Sequence, residues 1–151
     1  MIATSEHNLM PVIGWREWIA LPQLDIEVIK AKVDSGARTS ALHAFEVDPY
    51  HKGAQLWVMF VIHPEQNNLT LIKECHAPVK DRRTVTDSGG HKSKRVVIET
   101  QLILGCHKVN AEITLTNRDT MKFRMLLGRT AMRNNFLIDP AASFLHGHPK
   151  L

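Results

Sequence analysis

The chain has 151 residues, a formal net charge of +4 and two cysteines. This length suits one domain with a real core, so we expect a single domain over residues 1–151 with its ordered part at about 12–140. The longest apolar run, residues 56–62, is too short to span a membrane, no secretory pattern opens the chain, and two thiols make no disulfide framework. We therefore expect a cytoplasmic protein with no membrane partner.

Short apolar segments separated by Pro, Gly and Asn dominate the pattern along the chain, and they favour strands. In chain order we predict strands at 12–20, 26–33, 40–47, 55–62, 69–75, 94–104, 107–116 and 121–127. Pro22 lies in the first connection, Asp48–Pro49 separates the third and fourth strands, and Gly105 turns a long hairpin. A short helix is predicted over 131–135. Many short strands of this kind predict a mainly β chain folded as a small barrel or sandwich.

The positive charge is compatible with two kinds of ligand. Nucleic acid is one, but the cations are scattered and lack interleaved aromatic residues, and an acidic peptide explains the excess equally well. A cluster of positive charges on the solvated surface of a hairpin would give the same sequence pattern without any ligand. The densest basic group consists of Lys80, Arg82, Arg83, Lys92, Lys94 and Arg95.

Residues 31–40 carry the clearest chemical pattern. The strand predicted at 26–33 runs directly into Asp34-Ser35-Gly36. A carboxylate at the end of a buried strand is costly to desolvate, which favours a role in chemistry or as a cap. Taken alone, the triplet is most often an ordinary turn. Its significance rises because a second apolar strand, 125–127, ends at Gly128-Arg129.

Together these motifs resemble the retropepsin half of the aspartic-protease fold. More closely, residues 13–18, 33–43 and 126–129 resemble a bacterial family of retropepsin-like proteases, often labelled ATP-dependent zinc proteases, that includes the RimB proteins paired with RimK-type glutamate ligases. The resemblance covers about residues 12–140. It implies a small closed barrel of the retropepsin type with one short C-terminal helix.

A second Asp-Ser-Gly, at Asp87-Ser88-Gly89-Gly90, has polar neighbours on both sides. Such a sequence suits a hairpin tip, because Gly tolerates positive φ. We interpret it as the flap of a retropepsin-like domain, which closes over substrate. Aspartic-protease chemistry needs two carboxylates, so the second must come from another copy of the chain. The resemblance therefore predicts a homodimer with paired Asp34 residues.

The resemblance also assigns roles to the neighbours of Asp34. Ser35 would hold the two loops together, Gly36 would permit the tight turn, and Ala37 would pack beneath the site. Leu127 and Gly128 would support it from behind. Viral retropepsins often carry an acidic residue where Arg38 stands, so Arg129 needs another partner, which we predict to be Glu17. The substrate-binding residues would be Ala37, Arg38, Thr39, Ser88, Gly89 and Gly90.

Arg38 would then take a substrate carboxylate or pair with an acidic residue of the chain itself. The predicted function is a homodimeric aspartic peptidase acting on acidic, glutamate-rich peptides. By resemblance, these are glutamate tails added by an ATP-grasp ligase, for example to a ribosomal protein. The sequence has no Gly-rich phosphate loop, and we expect no cofactor.

Two alternatives remain open at this point. One is a non-catalytic module that holds an acidic protein or RNA in a basic groove. The other is a zinc hydrolase using His43, His76 or His107. No His-Glu-x-x-His or Cys-x-x-Cys motif occurs, so we expect no metal. His146 and His148 are predicted to lie in a solvated C-terminal tail.

Overall fold

The computed structural model describes residues 10–65, 70–86, 89–117 and 122–150. Within these ranges lie a 3-10 turn at Pro22–Leu24 and one α-helix, α1, at Arg129–Met132. The strands are β1 Val12–Ile13, β2 Arg16–Leu21, β3 Ile26–Val33, β4 Ser40–His43, β5 Glu46–Lys52, β6 Gln55–Ile62, β7 Lys73–Pro78, β8 Asp81–Thr86, β9 Lys92–Leu104, β10 His107–Thr116, β11 Met125–Leu127 and β12 Leu137–Ile138.

Six strands close into a barrel. Their order is β10-β4-β11-β3-β2-β9, and β9 pairs again with β10 to complete the ring. Closure removes the free edges that an open sheet would present. β8 is added outside the ring on β9, and it forms with β9 a hairpin that projects from the barrel. The predicted mainly β fold, with a closed barrel and one short helix, is confirmed.

A second sheet, β5-β6-β7, packs against the barrel. Val58, Phe60 and Cys75 point from this sheet into the common core. Pro49 was predicted to separate two strands, but it lies within β5 and faces Val58. β5 is the edge strand of its sheet, where a residue without a backbone N–H costs no ladder hydrogen bond.

The core consists of side chains from both sheets. Its largest fully buried members include Ile19, Ile29, Leu42, Phe60, Ile98, Leu102, Ile113 and Met125. Ile29 and Ala31 of β3 and Ala111 and Ile113 of β10 are buried, with a more exposed residue between the two of each pair, so these positions face the core. The last four residues of β10, 113–116, are buried on both faces of the strand.

Two predicted strands are each divided. Residues 12–20 form β1 and β2, which are separated at Gly14, and residues 40–47 are divided between β4 and β5. A Cβ at Gly14 would lie 2.2 Å from the carbonyl oxygen of Ala142, so the division occurs where the C-terminal segment crosses. The predicted strands at 69–75 and 121–127 begin at residues outside the described ranges. The observed β7 and β11 start at Lys73 and Met125.

The interpretation of the C-terminal segment as a solvated tail is wrong. The amide of Trp15 donates to the carbonyl of Ala142 (2.8 Å), and the ring of Phe144 stacks on Trp18 with centroids 5.0 Å apart. His146 Nε2 lies 2.8 Å from the carbonyl oxygen of Val12, and His148 meets the Trp18 ring edge-on. The chain therefore packs on the barrel well past residue 140. No helix among the described residues has the length and apolar character needed to cross a membrane.

Candidate active site

Asp34 follows the last residue of β3, at the point where that strand runs parallel to β11. Its amide donates to the carbonyl of Leu127 (2.9 Å), so pairing with β11 continues one residue beyond the strand. The side chain is half-buried, and it opens towards a cleft. The pairing of β3 with β11 therefore fixes the backbone position of Asp34.

The loop after Asp34 turns back on its own carboxylate. The amide of Gly36 donates to Asp34 Oδ1 (3.0 Å), and the amide of Ala37 donates to the Asp34 carbonyl (3.2 Å). A Cβ at Gly36 would lie only 3.2 Å from the same Oδ1. Ser35 and Gly36 are exposed. A small residue at position 36 thus keeps one face of the carboxylate accessible.

The start of α1 supports the loop from behind. The amide of Arg129 donates to the carbonyl of Ala37 (2.7 Å), and the amide of Thr130 donates to the carbonyl of Arg38 (3.0 Å). The Arg129 guanidinium donates to the Ser35 carbonyl (3.0 Å). These three bonds hold both ends of the loop, so the predicted neighbours of Asp34 and the Gly-Arg block are in direct contact.

Gly128 is placed where only hydrogen fits. A Cβ at this position would lie 2.5 Å from the carbonyl carbon of Thr39 and 2.6 Å from the amide nitrogen of Ser40. The Gly128 amide donates to Ser40 Oγ (2.9 Å), and both residues are buried. The sequence analysis did not assign Ser40 a role, although it closes the contact between the loop and α1.

The predicted pairing of Glu17 with Arg129 is not what the structure shows. Glu17 is fully buried, and its carboxylate accepts from the amides of Gly14 (2.7 Å), Leu145 (3.0 Å) and His146 (3.4 Å). Arg129 is exposed and donates to the Ser35 carbonyl instead. A carboxylate without access to water requires donors, and the crossing C-terminal segment supplies them as backbone amides. Glu17 therefore anchors that segment.

A cleft of about 640 Å³ separates the Asp34 loop from the β8–β9 hairpin. Asp34 and Gly36 to Thr39 line one side, and Arg83 to Thr86 with Arg95 line the other. β4, β10 and β11 contribute Ala41, Thr114, Thr116 and Leu126. Among the described lining residues, Asp34 is the one carboxylate. The hairpin thus forms the wall of the cleft opposite the Asp34 loop.

The two predicted flap glycines are not among the residues that line the cleft. Gly90 has a φ of 82°, which suits glycine, and both Gly89 and Gly90 are exposed without lining the cleft. Asp87 and Ser88 lie outside the described residues. Of the predicted substrate-binding residues, Ala37, Arg38 and Thr39 therefore line the cleft together, and Gly89 and Gly90 do not line it.

Three arginines give the cleft its charge. Arg83 Nε donates to Asp81 (2.8 Å), and its Nη1 donates to Glu112 (2.8 Å). Hydrogen bonds from Arg83 and then from Lys80 lower the pKa of Glu112 to about 2. The side chain of Arg38 is exposed, and within the described ranges it forms no ion pair. Arg95 faces Arg83 across the hairpin.

The sequence analysis grouped Arg83 and Arg95 only as surface charge. In the structure they occupy facing positions of two paired strands, so both side chains project on the same side of the sheet. The sequence did not supply the register of this pairing, which sets the two side chains on the wall of the cleft opposite Asp34.

The histidines of the zinc alternative lie on three separate strands, His43 on β4, His76 on β7 and His107 on β10. His76 lies between Tyr50 (2.8 Å) and Glu74 (3.0 Å). Within the part of the chain that the structure describes, no three His, Cys, Asp or Glu side chains are grouped so as to hold a metal ion.

Comparison with known proteins agrees with the geometry. The model of the family described as retropepsin-like aspartic endopeptidase RimB matches residues 12–149. A probable alpha-L-glutamate ligase of Shewanella halifaxensis is 48% identical over 136 residues, which are 90% of this chain and 30% of that protein. One of Parasynechococcus marenigrum is 45% identical over 132 residues, 87% of this chain and 28% of that protein. The chain thus spans about 30% of the length of the curated relatives it matches.

A Legionella pneumophila protein of unknown function has a similar solved structure, with a TM-score of 0.75 and 24% identity over 90% of this chain and 98% of that one. This likeness concerns the fold alone. The family match, in contrast, is a match of sequence over residues 12–149, and it includes β3, the Asp34 loop, the hairpin and α1 together. The resemblance noted in the sequence is confirmed, and the chain belongs to the RimB-like family of retropepsin-like aspartic endopeptidases.

Proposed function

We propose that this chain is an aspartic endopeptidase that is active as a homodimer. The observation that carries the proposal is a cleft with one carboxylate, Asp34, among its described lining residues. Acid–base hydrolysis by aspartates requires two. The Asp34 loop is exposed at Ser35 and Gly36, so a second copy of the loop can approach it across a two-fold axis.

In that dimer the two Asp34 carboxyls share one proton, because two like charges about 3 Å apart do not both ionise. The charged carboxylate takes a proton from a water molecule, and the water oxygen attacks the scissile carbonyl carbon. The protonated partner donates its proton to the carbonyl oxygen. The Gly36 amide that donates to Oδ1 holds the carboxylate in orientation during these steps.

The proposed substrate is an acidic, glutamate-rich segment. Arg38, Arg83 and Arg95 line the cleft, and guanidinium groups bind carboxylates in two-point contacts. The relatives from Shewanella and Parasynechococcus contain a region similar to this chain within longer proteins named probable alpha-L-glutamate ligase. A peptide tail built by such a ligase, including one on a ribosomal protein, is therefore the substrate class that we propose, and the ligase is the proposed functional partner.

The first test uses purified protein and a peptide ending in several glutamates, with products identified by mass. We expect Asp34→Asn to reduce cleavage by about 1,000-fold or more. The matched control is Asp48→Asn, since Asp48 is exposed on β5 and lines no part of the cleft. Binding of the peptide without cleavage by the unchanged protein would favour the non-catalytic binding module instead.

The second test addresses the dimer. Unchanged protein is mixed with increasing Asp34→Asn protein at a fixed total concentration. If each copy supplies one carboxylate, mixed dimers are inactive, and an equal mixture retains about a quarter of the activity. A chain that is active by itself retains about half. A linear decline would refute the shared site.

A further inference from the structure

Arg124 lies directly before β11 and belongs to the face of the barrel wall that carries the cleft. Its carbonyl accepts from the amide of His43 (2.8 Å), so the pairing of β11 with β4 continues through this residue. Met125 and Leu127 are fully buried in the core, whereas Leu126 between them lines the cleft. Because successive side chains of a strand point to opposite faces, Arg124 shares the outer face with Leu126.

The side chain of Arg124 is buried, and its Nε has no partner. Only 9% of the residue is exposed, and the Nε is inaccessible to solvent. Among the buried side-chain nitrogens and oxygens of the described residues, this Nε is the one without a hydrogen bond. Arg124 also takes part in none of the ion pairs formed within the described ranges. A buried cation of this kind costs stability unless an anion balances it.

The neighbouring strands do not supply that anion. The register of β3 with β11 places Lys32 beside Leu126 and, two residues earlier on each strand, Lys30 beside Arg124. On the β4 side the facing residue is His43. These flanking positions therefore carry no negative charge that could balance Arg124.

The separation of Arg124 from the Asp34 loop suits the side chain of a bound peptide. The Asp34 amide donates to the carbonyl of Leu127, which lies three residues beyond Arg124, or about 10 Å along the strand. Leu126 lines the cleft between these two points. A substrate residue that lies over Leu126 with its carbonyl at Asp34 can direct its side chain along the strand towards Arg124. A glutamate side chain ends in a carboxylate, which a guanidinium binds in a two-point contact.

We propose that Arg124 is a specificity-determining residue, which binds the carboxylate of the glutamate next to the scissile bond. This inference rests on the proposed function for the reaction, and it adds the side chain that the site selects at that position. Arg124 does not line the cleft itself, so its guanidinium turns towards the substrate by rotation about its side-chain torsions. The unpaired buried cation favours this movement, because the carboxylate of the ligand balances its charge.

The first experiment measures the cost of the unpaired cation by urea unfolding. Arg124→Met keeps a long unbranched side chain and removes the charge, so we expect a higher unfolding midpoint than in the unchanged protein. Arg133→Met is the matched control, because Arg133 is exposed and lines no part of the cleft, and its midpoint should not change. A lower midpoint for Arg124→Met, or its failure to fold, would overturn the proposal by showing that Arg124 supports the fold.

The second experiment compares two glutamate-rich peptides that differ at one residue. One carries glutamate and the other glutamine next to the cleaved bond, which is identified by mass, and kcat/KM is measured for each. We expect the unchanged protein and Arg133→Met to prefer the glutamate peptide about ten-fold or more. Arg124→Met should lose this preference, and Arg124→Lys should keep part of it. Equal preference in the unchanged protein and in Arg124→Met would overturn the proposal.

Binding to the full chain with Asp34→Asn separates this inference from the proposed function. Labelled oligo-glutamate and oligo-glutamine of equal length are titrated, and adding Arg124→Met should weaken the binding of oligo-glutamate alone, by about ten-fold. This loss, together with no cleavage by the unchanged protein, would reject the peptidase and keep the carboxylate site. Cleavage with a preference that does not depend on Arg124 would reject the carboxylate site and keep the peptidase.

Sedimentation of Arg124→Met tests whether the residue contacts a second copy of the chain instead. We expect the same oligomeric state as in the unchanged protein. Loss of a dimer that the unchanged protein forms would assign Arg124 to the contact between copies and would overturn the proposal.

Discussion

Replacing Glu17 with Gln should release the C-terminal segment from the barrel. The Glu17 carboxylate is fully buried, and its amide donors come from residue 14 and from residues 145 and 146. Gln has nearly the same volume, so the substitution leaves the packing in place. It replaces one acceptor oxygen by an NH₂ group, which then faces an amide donor.

Oε2 accepts both short bonds, 2.7 Å from the Gly14 amide and 3.0 Å from the Leu145 amide, and the Gln carbonyl oxygen can keep this position. The NH₂ group then replaces Oε1 and faces the His146 amide, which donates at 3.4 Å. The cost therefore combines the loss of negative charge at two short bonds with one buried donor left without an acceptor. A hydrogen bond to a charged group contributes about 1.5–3 kcal/mol, and a buried donor left without a partner costs a similar amount. Because Gln keeps one acceptor, we expect a loss of about 2–4 kcal/mol in the free energy of unfolding.

Urea unfolding gives that free energy, and amide hydrogen exchange read by mass spectrometry reports on residues 142–148. Glu27→Gln is the matched control, because Glu27 is exposed on β3. We expect faster exchange at Leu145 and His146 in Glu17→Gln alone. A change below about 0.5 kcal/mol with unaltered exchange at these amides would refute the assigned role.

Three further predictions concern stability and reactivity. Gly128→Ala should destabilise the protein by about 1–3 kcal/mol in urea unfolding, since its Cβ would meet backbone atoms at 2.5–2.7 Å, and an unchanged midpoint would contradict this contact. Glu112→Gln should cost about 1 kcal/mol at pH 7, because the folded pKa of Glu112 is lowered from 4.5 to about 2 by its hydrogen-bonded Arg83. That contribution is complete above pH 4.5 and is lost as the pH falls towards 2, so the difference in urea midpoint between the two proteins should shrink over this range. Iodoacetamide should label Cys106, which is exposed, at least about ten-fold faster than Cys75, whose pKa burial raises to about 11; equal labelling rates by mass spectrometry would count against the buried position.

Local pattern alone was enough to locate the Asp34 loop as a candidate site. Asp34 follows an alternating strand, and Gly128-Arg129 follows an apolar one, so both motifs can be read from residues that are adjacent in the chain. The pairing of β3 with β11 then brings the two motifs together. The mainly β class could be predicted for the same reason, because period-2 alternation is a property of each strand by itself. The closed barrel, as opposed to a sandwich, was implied by the family resemblance.

The partners of individual side chains could not be predicted in this way. Glu17 binds an amide 128 positions away, and Pro49 is tolerated within a strand because β5 happens to be an edge. The β8–β9 hairpin projects from the barrel only because β9 and β10 take different partners beyond Val97 and Thr114. The order of residues by itself indicated most of the strands, the Asp34 loop and the excess of positive charge. Tertiary structure decided which donor each buried group contacts and where a cavity opens. These contacts depend on the register of paired strands and on where one segment crosses another, and both involve residues that are far apart in the chain.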